Sequence, residues 1–378
     1  MGSLTRPEKL LSLYREFAAA EVLEPCLSES VKEIVKQQAE TGIDVVNDGE
    51  FGKPMSEEVD YGAWTTYMYT RLGGFEIRES DPDFNPLEVL LGQSKDRIDF
   101  ADFYRYGADG TRSDKGIYRF PVNTGPVTYA GQKQVQRDIA NLKDALLDVD
   151  VEDAFITAVA TGVQIRPSEY YASDEEYVVA IAEAMREEYR AITDAGLNVQ
   201  IDDPILVNVY EMKYSMSRDM SGFRKWAEGH IDLVNHTLEG IPKEQVRYHL
   251  CWGSWLGPHS TDLPLCEVID LVLRVNASQF SVEAANPQHE HEWKVWKDFK
   301  LPDGSAVIPG IVTHKTTILE HPELVAERII RYANVVGREN VIASTDCGMG
   351  GRMHPQLAWA KLKSLAEGAR LASETLWG

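Results

Sequence analysis

Cysteine is scarce in this chain. Four thiols, Cys26, Cys251, Cys266 and Cys347, serve 378 residues. They are too few for a disulfide framework, so reduced thiols and a cytoplasmic setting are expected. Positive charge is also short: 38 Lys and Arg stand against 60 Asp and Glu, a net charge of −22. Such a surface repels phosphate backbones and anionic lipids, which argues against nucleic acid and membrane as partners. It leaves room for an anionic small molecule met by one or two local Arg or Lys side chains. Long apolar runs are missing as well, and none reaches the ~18 residues of a membrane helix. No signal-peptide order is read at the start. With 43% hydrophobic and 26% charged residues, the composition is globular, which excludes disordered and fibrous classes. The length suffices to bury a core without staples.

What is present is an alternation. Seven short β-rich runs, 43–48, 154–160, 198–203, 246–252, 279–284, 306–312 and 340–345, mostly close in turn formers such as Gly49, Gly162, Pro204 and Gly253. Between them lie stretches with apolar residues at helical spacing: 174–195, 221–238, 265–275, 322–336 and 355–373. Strand–helix alternation implies parallel βαβ units. The expected fold is α/β, a single (β/α)8 TIM barrel over 1–378. Its eighth strand falls at residues 1–4, which are too short for a full strand and read as a remnant. The aromatic, Gly/Pro/Asp-rich stretch 51–150 reads as a large insertion after the second strand, with a hairpin arm at 120–129 and a helix at 134–148. A separate small domain is the alternative for that stretch.

Four residues stand out at strand ends. His249 and Cys251 are two apart in one strand, so their side chains share a face. Glu283 ends the next strand and Cys347 follows the last one. In a barrel this puts all four near the C-terminal mouth, where such folds carry their chemistry. His, two Cys and Glu are competent tetrahedral zinc ligands. A packed histidine beside a buried thiol is the plainer reading of His-x-Cys taken alone. If the four do bind zinc, two thiolates and a carboxylate outweigh its +2 charge. A metal so neutralised activates water poorly and suits a third thiolate, kept nucleophilic at neutral pH. That favours alkyl transfer to sulfur over hydrolysis.

The segments GSLTRP (2–7), DVVNDGEFGK (44–53), VQIDDP (199–204), YHLCWG (248–253), FSVEAANP (280–287) and STDCGMGGR (344–352) resemble the catalytic zinc barrel of the cobalamin-independent methionine synthase family. The resemblance implies a zinc that activates homocysteine for methyl transfer from a methylated folate or corrinoid. It implies His249, Cys251, Glu283 and Cys347 as metal ligands. Glu50 and Asp202 fall where the family holds the substrate ammonium, and Ser3 where it meets the carboxylate. Two acids at one mouth are costly without a cation between them, which fits an ammonium.

The departures are specific. The family's long enzymes carry a second, N-terminal barrel that this chain does not show. The catalytic histidine expected after Pro-Gly of the 306–312 strand is one position early, at His314, in what reads as an exposed loop. The run NPQHEHEW (286–293) resembles the shorter, single-barrel members. There His289 and His291 are expected to shape the mouth with Trp252 and Trp293 rather than to hold a second metal. Cys26 and Cys266 read as ordinary small hydrophobes. Among single-barrel relatives the epoxyalkane:coenzyme M transferase offers an alternative, thiol attack on an epoxide, with Arg6, Lys53 or Arg352 meeting the sulfonate. A zinc-bearing barrel without catalysis is a third reading.

Overall fold

The computed structural model describes residues 2–54, 63–82, 94–105, 119–162, 167–253 and 255–378. Seven parallel strands make one sheet in the order β1-β4-β5-β6-β7-β8-β9. They are β1 (Val45–Asn47), β4 (Asp153–Val159), β5 (Asn198–Asp203), β6 (Val246–Leu250), β7 (Gln279–Glu283), β8 (Ala306–Val312) and β9 (Ser344–Thr345). Helices cover the sheet and the strands are almost wholly buried; β4 and β8 are mainly apolar, whereas β5 and β6 carry Gln200, Asp202, Arg247 and His249 on one face. The architecture is an α/β fold of the TIM-barrel type.

Two helices precede β1: α1 (Glu8–Arg15) and α2 (Ala20–Thr41). The sequence reading had no place for either. Pro25 lies in the second turn of α2, where its missing N–H forgoes one helical hydrogen bond. Between β1 and β4 come α3 (Ala63–Arg71), an antiparallel pair of β2 (Leu72–Glu79) with β3 (Arg119–Tyr129), and α4 (Gln132–Leu146). Residues 55–62, 83–93 and 106–118 of the 51–150 stretch lie outside the described residues. The remaining long helices are α5 (Asp174–Asp194), α6 (Met220–Thr237), α7 (Pro322–Val336) and α8 (Pro355–Trp377).

The helix expected at 265–275 is broken. It forms a short 3-10 turn, Leu265–Glu267, and one helical turn, Ile269–Val272, separated by Val268 at φ −136°. Val268, Ile269, Leu271, Val272 and Val275 are buried, while Cys266 and Arg274 are exposed and Glu267 and Asp270 partly so; Arg224 binds the Glu267 carbonyl at 2.6 Å and the Asp270 carboxylate at 2.5 Å, on either side of the break.

The seam between β9 and β1 differs from the rest of the sheet. Met1 lies outside the described residues, and residues 2–4 form no strand. They still bridge the gap. Leu4 N–H donates to the Gly49 carbonyl at 3.2 Å, and Met349 and Gly350 N–H donate to the Ser3 carbonyl at 2.9 and 3.0 Å.

Arg71, 2% exposed, fastens the β2–β3 pair to the barrel. Its guanidinium reaches Asp138 on α4 at 2.5 Å and Glu188 on α5 at 2.9 Å. Arg137 spans Asp138 and the Gly52 carbonyl, at 2.8 and 3.0 Å, so this buried network also holds the turn after β1.

Candidate metal centre and substrate mouth

Register does most of the placing. Across the parallel strands Asp202 pairs with His249, and His249 with Ser281. Paired residues in a parallel sheet share a face, so all three point the same way. Cys251 lies two residues beyond His249, on that face. A ring nitrogen of His249 and the sulfurs of Cys251 and Cys347 lie within 4.8 Å of one another. No other group of three ligating side chains is assembled among the described residues.

This group fits a metal. His249 Nδ1 is set by Ser281 Oγ at 3.1 Å, and its buried Nε2 has no hydrogen-bond partner among the described residues. The two sulfurs are 3.7 Å apart. That is too far for a disulfide of about 2.05 Å. Two thiolates on one tetrahedral zinc, with bonds of ~2.3 Å, sit about 3.8 Å apart. The Cys251 thiol and His249, against the effect of burial, hold the Cys347 thiol well below its ordinary range.

Glu283 stands beside the group rather than in it. Its Oε1 accepts from Trp252 N–H at 3.3 Å and its Oε2 from Asn286 Nδ2 at 2.9 Å. The sequence reading missed these two partners, and also Asp346. Asp346 Oδ1 accepts from Ala284 and Ala285 N–H at 2.8 and 2.9 Å, tying the end of β7 to the turn that carries Cys347. A Cβ on Gly310 would lie 2.3 Å from Asp346 Cα, so glycine lets β8 approach this turn. Burial, then the Glu283 charge, pushes the Asp346 carboxyl up to about 7.

The turn after β1 forms an acidic wall. Gly49 and Glu50 both have positive φ, +66° and +63°. For Glu50 this is a strained backbone, held by Asp48 Oδ1, which accepts its N–H at 2.9 Å. Glu50 is buried, and burial, followed by Asp202 against the opposing Lys53, pushes its carboxyl up to about 8. Asp202 is raised too, by burial, with His249 and Lys53 opposing. Its Oδ1 accepts from Gln200 Nε2 at 2.8 Å. The helix-capping acid of Asp-Asp-Pro is Asp203, whose Oδ1 accepts from Ile205 and Leu206 N–H at 2.9 and 3.2 Å. Asp202 is thereby free of that duty. Ser3, also buried, donates from Oγ to the Gly350 carbonyl at 3.5 Å.

Both cations on this wall are tied to backbone. Lys53 Nζ donates to the Thr157 carbonyl at 2.8 Å and to Thr157 Oγ1. Arg6 Nη2 donates to the Glu50 and Lys53 carbonyls at 2.5 and 3.1 Å.

His314 corrects an expectation. It is 2% exposed, not a surface loop histidine: its neighbours are tied inward, Thr313 N–H to Glu320 Oε1 at 2.9 Å and Lys315 Nζ to the Gly253 and Trp255 carbonyls. Both ring nitrogens lack a hydrogen-bond partner among the described residues. Burial, then Lys315, holds it well below the usual imidazole range. His289 is buried between Asp262 and Glu292, at 3.0 and 2.7 Å, with its ring 4.4 Å from that of Trp252. The two acids outweigh burial and push it up to about 10. His291 is exposed. Cys26 is buried as expected of a small hydrophobe, whereas Cys266 is exposed. No helix among the described residues is long and apolar enough to cross a membrane.

Comparison with known proteins shows what the chain is similar to. The chain is 24% identical to the 2-hydroxypropyl-CoM lyase of Xanthobacter autotrophicus, over 94% of this chain and 87% of that one. It is 25% identical to the methionine synthase of Sulfolobus acidocaldarius, over 100% of this chain and 92% of that one. Its fold is that of the B12-independent methionine synthase from Shewanella sp. W3-18-1, solved in complex with selenomethionine. There the TM-score is 0.70 and the identity 19%, covering 99% and 97% of the two chains. The family described as "Cobalamin-independent synthase, Catalytic domain" matches residues 114–370, well over half of the chain. The chain belongs to this cobalamin-independent synthase family of enzymes.

Proposed function

We propose that this enzyme transfers a methyl group to the sulfur of homocysteine, forming methionine, with a methylated folate or corrinoid as donor. The observation that carries the reading is the His249–Cys251–Cys347 group at the strand ends, its first two members buried and Cys347 partly so, with an unpartnered imidazole nitrogen and sulfurs at zinc-sharing separation. Zinc bound there would supply a site for the substrate sulfur as a nucleophilic thiolate. Glu283 is the fourth ligand in this reading. Its present hold on Trp252 and Asn286 gives it a resting place when the thiol displaces it.

Glu50 and Asp202 grip the substrate ammonium. Both are buried and both resist ionising together, so a cation between them is favourable. Ser3 meets the carboxylate. His314 hands a proton to the leaving group.

A second reading has a specific observation behind it. Lys53 is a cation that already acts on both acids. A thiol without an ammonium is therefore tolerable there, and zinc-activated attack of coenzyme M on an epoxide is the alternative. A thiol panel decides between them. Homocysteine, coenzyme M and glutathione are each added to the zinc-loaded enzyme, and zinc-edge absorption scores a new Zn–S bond. A new bond with homocysteine supports methyl transfer. A response to coenzyme M alone replaces it with the epoxide reading.

A further inference from the structure

The His314 ring has no hydrogen bond of its own among the described residues, so whatever aims it acts through its neighbours in the chain. On one side is Thr313, whose N–H donates to Glu320 Oε1 at 2.9 Å. The other carboxylate oxygen of Glu320 meets Lys361 Nζ, from α8, at 2.7 Å. Both members of this pair are buried, Lys361 wholly so. The same ammonium donates to the Ile318 carbonyl at 2.7 Å, and Ser364 Oγ, one turn along α8, donates to the Glu320 carbonyl. On the other side is Lys315. Its N–H donates to Thr313 Oγ1 at 3.1 Å. Its Nζ has three protons to give and three partners: the Gly253 and Trp255 carbonyls at 2.9 and 3.1 Å, and His259 Nε2 at 2.9 Å. Gly253 lies two residues after Cys251, so this tie measures His314 against the strand that carries a metal ligand.

Apolar packing does not hold the outer part of this loop. Ile318 is 73% exposed and Leu319 47%, yet they lie between the buried His314 and the buried Glu320. A buried ion pair is costly in solvation, and apolar side chains of similar volume often replace one without loss of stability. A pair set beneath an exposed loop therefore points to a task besides stability. We propose that Glu320 and Lys361 are positioning residues: they close the 313–320 loop from beneath and, with Lys315 opposite, hold the His314 ring in one orientation at the mouth. The inference rests on the reading of His314 as proton donor and deepens it. With a folate donor the N–CH3 bond breaks as the S–CH3 bond forms. The electron pair stays on nitrogen, and His314 delivers the proton that nitrogen takes. A misplacement of about 1 Å in such a step costs about 100-fold in rate.

Two double variants isolate the contact. Glu320→Gln with Lys361→Met removes both charges but leaves a carbonyl oxygen to accept from Thr313 N–H. Glu320→Leu with Lys361→Met removes the acceptor as well, so the two proteins differ at position 320 alone. Both are compared, zinc-loaded, by denaturant midpoint, by zinc content and by the imidazole resonances of histidine-labelled protein. The His314 signals are identified by their loss in His314→Gln. Homocysteine methylation is followed with methyltetrahydrofolate and with methylcobalamin as donors. The first variant is expected to keep a single set of His314 resonances and most of kcat. In the second those resonances split or broaden and kcat falls about 100-fold, with the homocysteine KM and the zinc content unchanged. Added to His314→Gln, the second pair of substitutions should lower kcat no further, because the ring it aims is gone. Should the second variant not fold, Glu320→Asp, one methylene shorter, draws the carboxylate back from Thr313 and gives the same reading. Sharp, unshifted His314 resonances in the folded second variant, or a loss of kcat that persists beside His314→Gln, overturn the clamp. If His314→Gln alone leaves kcat intact, or neither donor is used, the proton-donor reading fails while the resonances still decide the clamp.

Discussion

The two walls of the mouth are built from the same kind of turn, a strand end followed by a loop, yet they differ in charge. At β1–β5 the loop brings in acids and spends its cations on backbone carbonyls. At β8–β9 the strongest charges around His314 are mainly basic. The metal-ligand group lies between them. Alkylation of a thiol needs a neutralised sulfur at the centre, and the acidic wall adds a handle for a substrate ammonium.

The largest break in this comparison removes its centre. Cys347→Ser leaves His249 and Cys251 with too few ligands for a closed site. Metal analysis is expected to show a large drop in bound zinc, with loss of thiol alkylation. Full zinc content in the variant would mean the metal is held elsewhere.

Next comes the acidic wall and pH. Glu50 has its carboxyl pushed up to about 8 in the fold, against an ordinary value near 4.5. The unfolded state ionises first. This group therefore favours folding below pH ~4.5, and the advantage is lost as pH rises to about 8. At about 1.4 kcal/mol per pKa unit the loss amounts to several kcal/mol. Glu50→Gln does not titrate, so the variant should match wild type near pH 5 and exceed it near pH 8. Denaturant midpoints of the metal-free proteins at both values check this. Equal slopes against pH would place the proton on another acid.

The sequence made the strands more legible than the site. The runs 198–203 and 306–312 coincide with β5 and β8 because each is a short, buried, β-rich run; β8 is continuously apolar, whereas in β5 valine and isoleucine alternate with the polar residues of the mouth face. The ligand group was legible through the two-residue step from His249 to Cys251. The rest depended on three-dimensional closure. Nothing local says that Trp252 and Asn286 hold Glu283 aside, that Asp346 fastens β7 to the Cys347 turn, or that His314 is buried. The helix α2 was missed because Pro25 breaks its pattern; α1 is plainly amphipathic, with Leu10, Leu11 and Tyr14 buried, and was legible but unread. The run 265–275 misled because its helical spacing is real, yet Val268 at φ −136° interrupts the helix it predicts.

A sharper test of the acidic wall is Asp202→Asn. Asparagine keeps the shape and the Gln200 contact but removes the charge facing the ammonium. The loss of one charged hydrogen bond costs about 2 kcal/mol, or about 30-fold in homocysteine affinity. Zinc content is expected to stay unchanged, because Asp202 is not in the ligand group. Binding of 2-mercaptoethanesulfonate, which has no ammonium, should not weaken. A parallel loss for both thiols would show that the substitution disturbs the mouth as a whole.

The smallest effect lies just outside the ligand group, on β7. Ser281 Oγ meets His249 Nδ1 at 3.1 Å, and the two residues are register partners on adjacent strands. A histidine ligand binds through one nitrogen, and the partner of the other fixes its tautomer and ring angle. Ser281→Ala removes that partner without altering the strand pairing, which runs through backbone groups. The hydroxyl contact is neutral, so the cost sits at the low end for such partners, about tenfold in zinc affinity. Competition with a chelator, comparing wild type and Ser281→Ala at one pH, measures it directly. If the two proteins lose zinc together, the imidazole is oriented by packing alone and the hydroxyl is incidental. If the variant loses metal some tenfold sooner while its unfolding midpoint is unchanged, β7 contributes to the centre through Ser281 as well as through Glu283.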